Sequence, residues 1–239
     1  MGGWVMVLVW VIAQFMFSVY WTFGQLRMIL VTWDSSSYAM PLGPLYGMLA
    51  WNIFQCVYFR SWLSLIFNVI WICCELVLIL FTNRNLLRPD NPDFPSTAAW
   101  FKRCLIPISA IYFLIWVAFF LFAIPKFGEV ILDLTGFCLS FCLSGAFILM
   151  LLSRWSSRQQ CTDVIMWKLS FNLLIFLPLR SYKSSVLGLP FALLNLITCI
   201  LDSAYCWALG RFDSKSTQSI ESLSSPDAPV TTDEQSNSV

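Results

Sequence analysis

The run WLSLIFNVIWICCELVLILFT, residues 62–82, decides the fold because it holds a single charged residue, Glu75, in an otherwise almost entirely apolar stretch. A helix needs about 20 predominantly apolar residues to cross the hydrocarbon core of a bilayer. In lipid, every backbone polar group must be satisfied within the protein, which favours a helix for an isolated apolar segment. We therefore predict that residues 62–82 form a transmembrane helix.

Six other apolar runs of spanning length repeat this pattern along the chain. They are 4–23, 40–59, 104–124, 129–152, 164–182 and 187–209. The 239 residues are 59% hydrophobic and 11% charged, whereas about a quarter of the residues in soluble domains are charged. We predict an all-α membrane protein in which residues 1–212 form a bundle of seven transmembrane helices. Residues 213–239, rich in Ser, Thr and acidic residues, are predicted to be a disordered cytosolic tail.

The basic residues indicate the orientation of the bundle, since Lys and Arg are enriched in cytoplasmic loops. Nine of them fall on the side that holds loops one, three and five and the C-terminal tail: Arg27, Arg84, Arg88, Lys102, Arg103, Arg154, Arg158, Arg211 and Lys215. Four fall on the other side: Arg60, Lys126, Arg180 and Lys183. We expect a lumenal N-terminus, a cytosolic C-terminus and a multi-pass location in the endoplasmic reticulum membrane.

The composition also argues against several classes of function. The chain contains no histidine, which disfavours haem, histidine-based zinc sites and Ser-His-Asp catalysis. Its nine cysteines include no CxxC pair, the usual sign of structural zinc or redox chemistry. A net charge of +1 gives no basic surface for nucleic acid. We expect neither a metal nor a cofactor, and we expect the lipid bilayer as the surrounding partner.

Five ionisable residues lie within the predicted spans, where each costs at least about 2.5 kcal/mol and is a functional-site candidate. By helical rise, Glu75, Lys168 and Asp202 lie at similar depths and could share one layer. Glu129 and Asp133 begin the fifth span, near the opposite membrane surface. One interpretation is a structural ion pair of Lys168 with Glu75 or Asp202. The other is a buried carboxyl that keeps its proton and donates it. The sequence leaves both open.

The segment 34–59 contains a pattern Y-x-M-x-x-x-P-L followed by A-W, formed by Tyr38, Met40, Pro44, Leu45, Ala50 and Trp51. In these residues and their spacing, the chain resembles the fungal membrane-bound terpene cyclases of meroterpenoid and indole-diterpene pathways. The sequence LDSAY places Asp202 and Tyr205 in a D-x-x-Y pattern like that of the last span of the family. Glu75, in WICCELVLIL, falls where the family usually carries an acid in its third helix.

The resemblance implies a metal-independent cyclase of the lyase or isomerase type in secondary metabolism. Such an enzyme protonates an epoxidised or olefinic prenylated aromatic or polyketide intermediate and guides a cation cascade. A pathway prenyltransferase and an epoxidase would supply this lipophilic substrate. The implied catalytic residues are Asp202, Glu75 and Asn52, and the implied substrate-binding aromatics are Tyr38, Trp51, Trp71 and Tyr205.

The chain departs from the family at Asn52, where the family has the glutamate that starts the cascade. An amide cannot donate a proton as a carboxylic acid does. Three outcomes stay open: Asp202 or Glu75 is the acid and Asn52 orients the substrate, the substrate is activated differently, or cyclase activity is lost. Two other classes also remain, a small transporter with a proton relay and a non-catalytic membrane partner.

Overall fold

The computed structural model describes residues 2–35, 37–58, 61–88, 91, 99–154, 162–182 and 188–224. These residues form seven α-helices and no strand. The helices are α1 (Gly2–Trp33), α2 (Leu42–Val57), α3 (Trp62–Leu87), α4 (Ala99–Phe127), α5 (Val130–Arg154), α6 (Thr162–Tyr182) and α7 (Gly188–Ser224). Each helix contains most or all of one predicted span, so the predicted all-helical fold class is confirmed.

Six of the helices form a closed ring. Following the contacts around it, α1 packs on α3, α3 on α2, α2 on α5, α5 on α7, α7 on α6, and α6 returns to α1. The remaining helix, α4, lies outside this ring and packs mainly against α2, with smaller contacts to α3 and α5. Since α3 and α7 do not contact each other, their polar residues belong to different parts of the ring.

The surface of the bundle exposes many large apolar side chains, and several polar side chains are buried inside it. Large apolar residues are exposed, among them Trp62 at 73% and Leu149 at 68%, whereas Gln25 and Glu75 are fully buried. Within the described residues, four helical segments are long and apolar enough to cross a membrane: Trp62–Leu87, Arg103–Phe127, Val130–Arg154 and Ala192–Arg211. An apolar exterior with the buried ionisable residues turned inward is what a lipid environment favours, so these helices indicate a membrane protein.

Close contact between α2 and α5 depends on glycine. A methyl group added at Gly47 would lie 2.6 Å from the side chain of Leu139 on α5, and one added at Gly136 would lie 3.0 Å from the ring of Trp51. Small residues let membrane helices approach closely. This contact fixes the position of α2, the helix that carries Asn52.

The helix ends follow local sequence signals. At the start of α3, the Ser61 hydroxyl oxygen accepts a hydrogen bond from the backbone N–H of Ser64 at 3.1 Å, which caps the helix. The helix ends before Arg88, which is extended, as expected for a residue followed by proline. At the other end of the chain, α7 continues through residues 213–224, and the rest of the predicted tail, 225–239, lies outside the described residues, as do Arg60, Arg158 and Lys183.

Candidate active site

Glu75 lies in the middle of α3 and joins three helices through one carboxyl oxygen. Its Oε1 accepts a hydrogen bond from Asn52 Nδ2 of α2 at 2.8 Å and another from Gln25 Nε2 of α1 at 3.3 Å. All three side chains are 0% exposed. The acid is therefore completely enclosed, and its hydrogen-bonding partners are neutral amides.

Three oxygen atoms of this cluster have no hydrogen-bond partner within the described part of the chain. They are Glu75 Oε2, Asn52 Oδ1 and Gln25 Oε1. A buried polar atom left unpaired costs about 1–3 kcal/mol, and such atoms in a native fold call for a structural or functional reason. Two arrangements would satisfy these oxygens. Glu75 can carry a proton on Oε2, or a polar group of a bound molecule can donate hydrogen bonds to the cluster.

Aromatic rings lie one helical turn from the acid. Trp71 precedes Glu75 by four residues on α3, so both project from the same face of the helix. The Trp71 indole Nε1 donates to Thr22 Oγ1 at 3.0 Å, which fixes the orientation of the ring. The ring of Phe17 lies 5.8 Å from Trp71 and 6.2 Å from Trp21, measured between centroids. The Glu75 cluster therefore adjoins a fixed aromatic wall.

A second polar cluster joins α5, α6 and α7. Lys168 Nζ lies 2.7 Å from Asp202 Oδ2 and 3.0 Å from Oδ1, and the side chains are 4% and 1% exposed. Lys168 also donates to the Ser144 hydroxyl oxygen, and Asn172 Nδ2 donates to Asp202 Oδ2 at 3.3 Å. Asn195 Nδ2 donates to the Asn172 carbonyl at 2.7 Å. The charges of Lys168 and Asp202 are therefore paired with each other, and Ser144 and Asn172 provide further hydrogen bonds to them.

The structure thus divides the three buried ionisable candidates between two clusters. Lys168 takes Asp202 as its partner and makes no hydrogen bond or ion pair with Glu75. The two remaining acids of the fifth span lie at its beginning, Asp133 in the first turn of α5 and Glu129 just before it. Neither acid contributes to the two clusters.

Two of the predicted substrate-binding aromatics lie at other contacts. The guanidinium of Arg154 on α5 lies 4.3 Å from the ring centroid of Tyr38 and donates to the Tyr38 carbonyl at 3.0 Å. Trp51 Nε1 donates to the Leu132 carbonyl at 2.7 Å. Both interactions join α2, or the segment leading into it, to α5. In this conformation neither side chain forms part of the Glu75 cluster.

The other two aromatics divide between the clusters. Tyr205, one turn after Asp202, is 1% exposed and its ring lies 5.7 Å from that of Phe147. Tyr205 therefore belongs to the part of the bundle that holds the Lys168–Asp202 pair, whereas Trp71 lies one helical turn from Glu75.

Sequence reasoning did not identify Gln25 as a member of the site. The predicted first span ended at residue 23, but α1 continues to Trp33 and carries Gln25 into the interior. A lone amide two residues beyond a long apolar run was the available signal. Ser144, which contacts Lys168, was missed as well, since a serine within an apolar helix is common.

Among the described residues, no group of three or more His, Cys, Asp or Glu side chains is placed to hold a metal ion. No family model, no curated protein and no solved structure matches this chain. The resemblance to the membrane-bound terpene cyclases therefore stays a prediction.

Proposed function

We propose that the protein is a membrane-embedded, metal-independent terpene cyclase that uses Glu75 as the general acid. Its substrate would be an epoxidised or olefinic prenyl chain carried on an aromatic or polyketide group. The observation that carries the proposal is the hydrogen bond between Asn52 and Glu75. It connects the residue at which the chain departs from the cyclase pattern with a buried carboxylic acid.

This contact accounts for the missing glutamate. A carboxyl group on α2 at position 52 would begin where the Asn52 amide is, and the Glu75 carboxyl from α3 reaches within 2.8 Å of that amide. An acid is thus available at nearly the same place, supplied by the neighbouring helix. Of the three outcomes left open by the sequence, this arrangement favours the first, an active enzyme with Glu75 as the acid, except that Asn52 orients this acid rather than the substrate.

The surroundings of Glu75 suit proton donation. Among the residues that the structure describes, no basic side chain is bonded to Glu75. Burying an unpaired charge is costly, so the acid is most stable when it carries its proton. With Oε1 already accepting two N–H bonds, the proton belongs on Oε2, the atom without a partner. Hydrogen bonds from the two amides then stabilise the carboxylate that forms as the proton leaves.

The reaction is balanced in protons. Glu75 gives its proton to the epoxide oxygen or the terminal olefin, and the resulting cation moves along the chain as rings form. The faces of Trp71 and Phe17 attract the positive charge, and the dry interior prevents its capture by water. The Glu75 carboxylate takes up the proton that the final cation loses. The acid is thereby regenerated, and the overall step is an isomerisation of the substrate.

Asp202 has a different role in this proposal. Its carboxylate on α7 lies 2.7 Å from the Lys168 ammonium on α6, so the pair joins the two helices. We assign Asp202 to holding α6 and α7 together, and the first proton donation to Glu75.

The proposal includes the finer topology, with seven spans, a lumenal N-terminus and a cytosolic C-terminus in the endoplasmic reticulum membrane. The seven helices and the biased distribution of Lys and Arg support it. A prenyltransferase and an epoxidase would act before this enzyme, since its substrate is prenylated and epoxidised.

An exchange of the two side chains tests the assignment. The protein is expressed in a host supplied with candidate epoxyprenyl substrates, and cyclised products are measured by mass spectrometry. We expect Glu75→Gln to lower the rate about 10²–10⁴-fold, the usual contribution of a general acid. The double variant Asn52→Asp, Glu75→Gln keeps one carboxyl and one amide in the same hydrogen bond and should recover part of that rate.

Asn68→Ala serves as the control, because Asn68 is on the same helix and only 3% exposed, yet its side chain bonds within α3 to Ser64. It should keep nearly full activity. Full activity in Glu75→Gln would remove Glu75 as the acid. If the wild-type protein cyclises nothing across a broad substrate panel, the cyclase proposal fails, and a carrier or a non-catalytic partner becomes the better interpretation.

A further inference from the structure

An apolar groove of about 370 Å³ lies between α2, α3 and the outer helix α4. Its volume falls within the range of about 300–1,000 Å³ that is typical of small-molecule sites. Leu76 and Ile106, on two of its walls, are 46% and 59% exposed, so the groove opens on the lipid-facing surface. A lipophilic molecule could therefore enter it from the membrane.

The polar groups of the groove gather at one end. Tyr46 lies near the start of α2, Asn83 near the end of α3, and Ser109 in the first part of α4. Asn83 Nδ2 donates to the Tyr46 hydroxyl oxygen at 3.2 Å, which shows that these two residues are at the same level. The buried Oδ1 of Asn83 has no partner among the described residues and can accept a hydrogen bond from a ligand.

The opposite, aliphatic end lies at the level of the proposed acid. Ile53 lines the groove next to Asn52 in the sequence, and Ile72 lines it one turn before Glu75. The 11 residue-to-residue steps from Ile72 to Asn83 correspond to about 16 Å along α3. An extended chain gains about 1.2 Å per bond, as the spacing of polypeptide backbone atoms shows. The groove therefore accommodates about 13 bonds, roughly three isoprene units of four chain bonds each.

We propose that this groove binds the prenyl chain of the substrate, about three isoprene units long, with a hydroxyl-bearing end at Asn83 and Tyr46. The inference rests on the proposed function. The far end of the chain then lies at the level of Glu75 and Asn52, where protonation would begin. Glu75, Asn52, Trp71 and Phe17 do not line the groove. The chain therefore meets the acid and these aromatic rings only when the groove wall between them opens.

The lining favours a neutral, hydroxyl-bearing chain over a membrane phospholipid. The polar end offers an amide, a phenol and a hydroxyl, and no lining residue is basic. A phosphate group is usually bound by arginine, lysine or several backbone N–H groups, and the described lining includes no such cation.

Photolabelling of the purified full-length protein in nanodiscs tests the proposal. The probe is an isoprenoid alcohol of three isoprene units that carries a diazirine, and the labelled peptides are identified by mass spectrometry. We compare Ala110→Trp, which fills the groove, with Ala118→Trp, an exposed position on the same helix that lines no part of the groove. Since displacing two carbons from apolar contact weakens binding about tenfold, only Ala110→Trp should raise the half-labelling concentration by about that factor.

A second variant probes the polar end. Asn83→Leu should weaken labelling by the alcohol about fivefold, as expected for one hydrogen bond, and leave labelling by the matching hydrocarbon unchanged. The groove proposal is overturned if Ala110→Trp behaves like Ala118→Trp, or if a diazirine phospholipid labels the same peptides as strongly as the alcohol. Groove labelling without turnover of any substrate supports the chain-binding site and removes the cyclase proposal. Turnover without groove labelling supports the cyclase proposal and removes the groove as the chain-binding site.

Discussion

Separating Lys168 from Asp202 should destabilise the bundle more than any surface change. In Lys168→Met, the buried Asp202 carboxylate keeps only the 3.3 Å hydrogen bond from Asn172. Removing one partner of a buried ion pair costs about 3–5 kcal/mol. At about 2–4 °C per kcal/mol for a chain of this size, the melting temperature should fall by roughly 6–20 °C.

The double variant Lys168→Met, Asp202→Leu removes both charges and should regain most of this loss, because apolar pairs replace buried ion pairs at little cost. Thermal melts in detergent micelles measure all three proteins. Asp163→Asn is the control, since its partner Arg27 lies 3.8 Å away and the two side chains are 45% and 55% exposed. An exposed pair of this kind contributes about 0–1 kcal/mol.

Unchanged melting temperatures in Lys168→Met would refute the assignment of this pair to holding the helices together. Activity gives a second measurement. If the double variant regains stability and also cyclises substrate, Asp202 is structural. If it regains stability without activity, Asp202 takes part in the chemistry and Glu75 is not sufficient.

Two further predictions concern packing and the membrane. Gly47→Ala should destabilise the protein by about 1–3 kcal/mol in the same melts, because the new methyl would lie 2.6 Å from the side chain of Leu139. Gly145→Ala, with no atom within 4 Å, should instead be neutral or stabilise α5 by up to about 1 kcal/mol. Cys73 and Cys142 are exposed on the bundle surface, so a lipophilic maleimide should label them in membranes and a charged maleimide should not. Equal labelling by the charged reagent would contradict their contact with lipid.

The positions of the helices could be predicted because each apolar run has to form a helix if it lies in lipid. The run at 62–82 became α3, and its single acid marked the candidate site directly. The helix ends were harder to predict, since a helix may continue beyond the lipid core. Residue 25 was left outside the first predicted span for this reason, and with it the Gln25 partner of Glu75.

The choice of partners could not be predicted from depth alone. Glu75 and Asp202 were both placed within reach of Lys168, but α3 and α7 lie on separate parts of the helix ring. Which helices are neighbours depends on packing at positions such as Gly47 and Gly136. The absence of a side chain at Gly47 leaves room for Leu139 of α5, and at Gly136 it leaves room for the ring of Trp51. No spacing rule along a single helix contains that information.

The two buried carboxyl groups differ in what surrounds them, and this difference supports the roles proposed for them. Asp202 faces an ammonium group at 2.7 Å, so its charge is compensated. Glu75 faces two amides, which can stabilise its charge once formed but do not neutralise it. Carboxyl groups held in unlike environments commonly divide acid and electrostatic tasks between them. In the proposed cyclase, Glu75 bonded to Asn52 would therefore place a neutral acid in the part of the bundle where the family that the chain resembles has its glutamate.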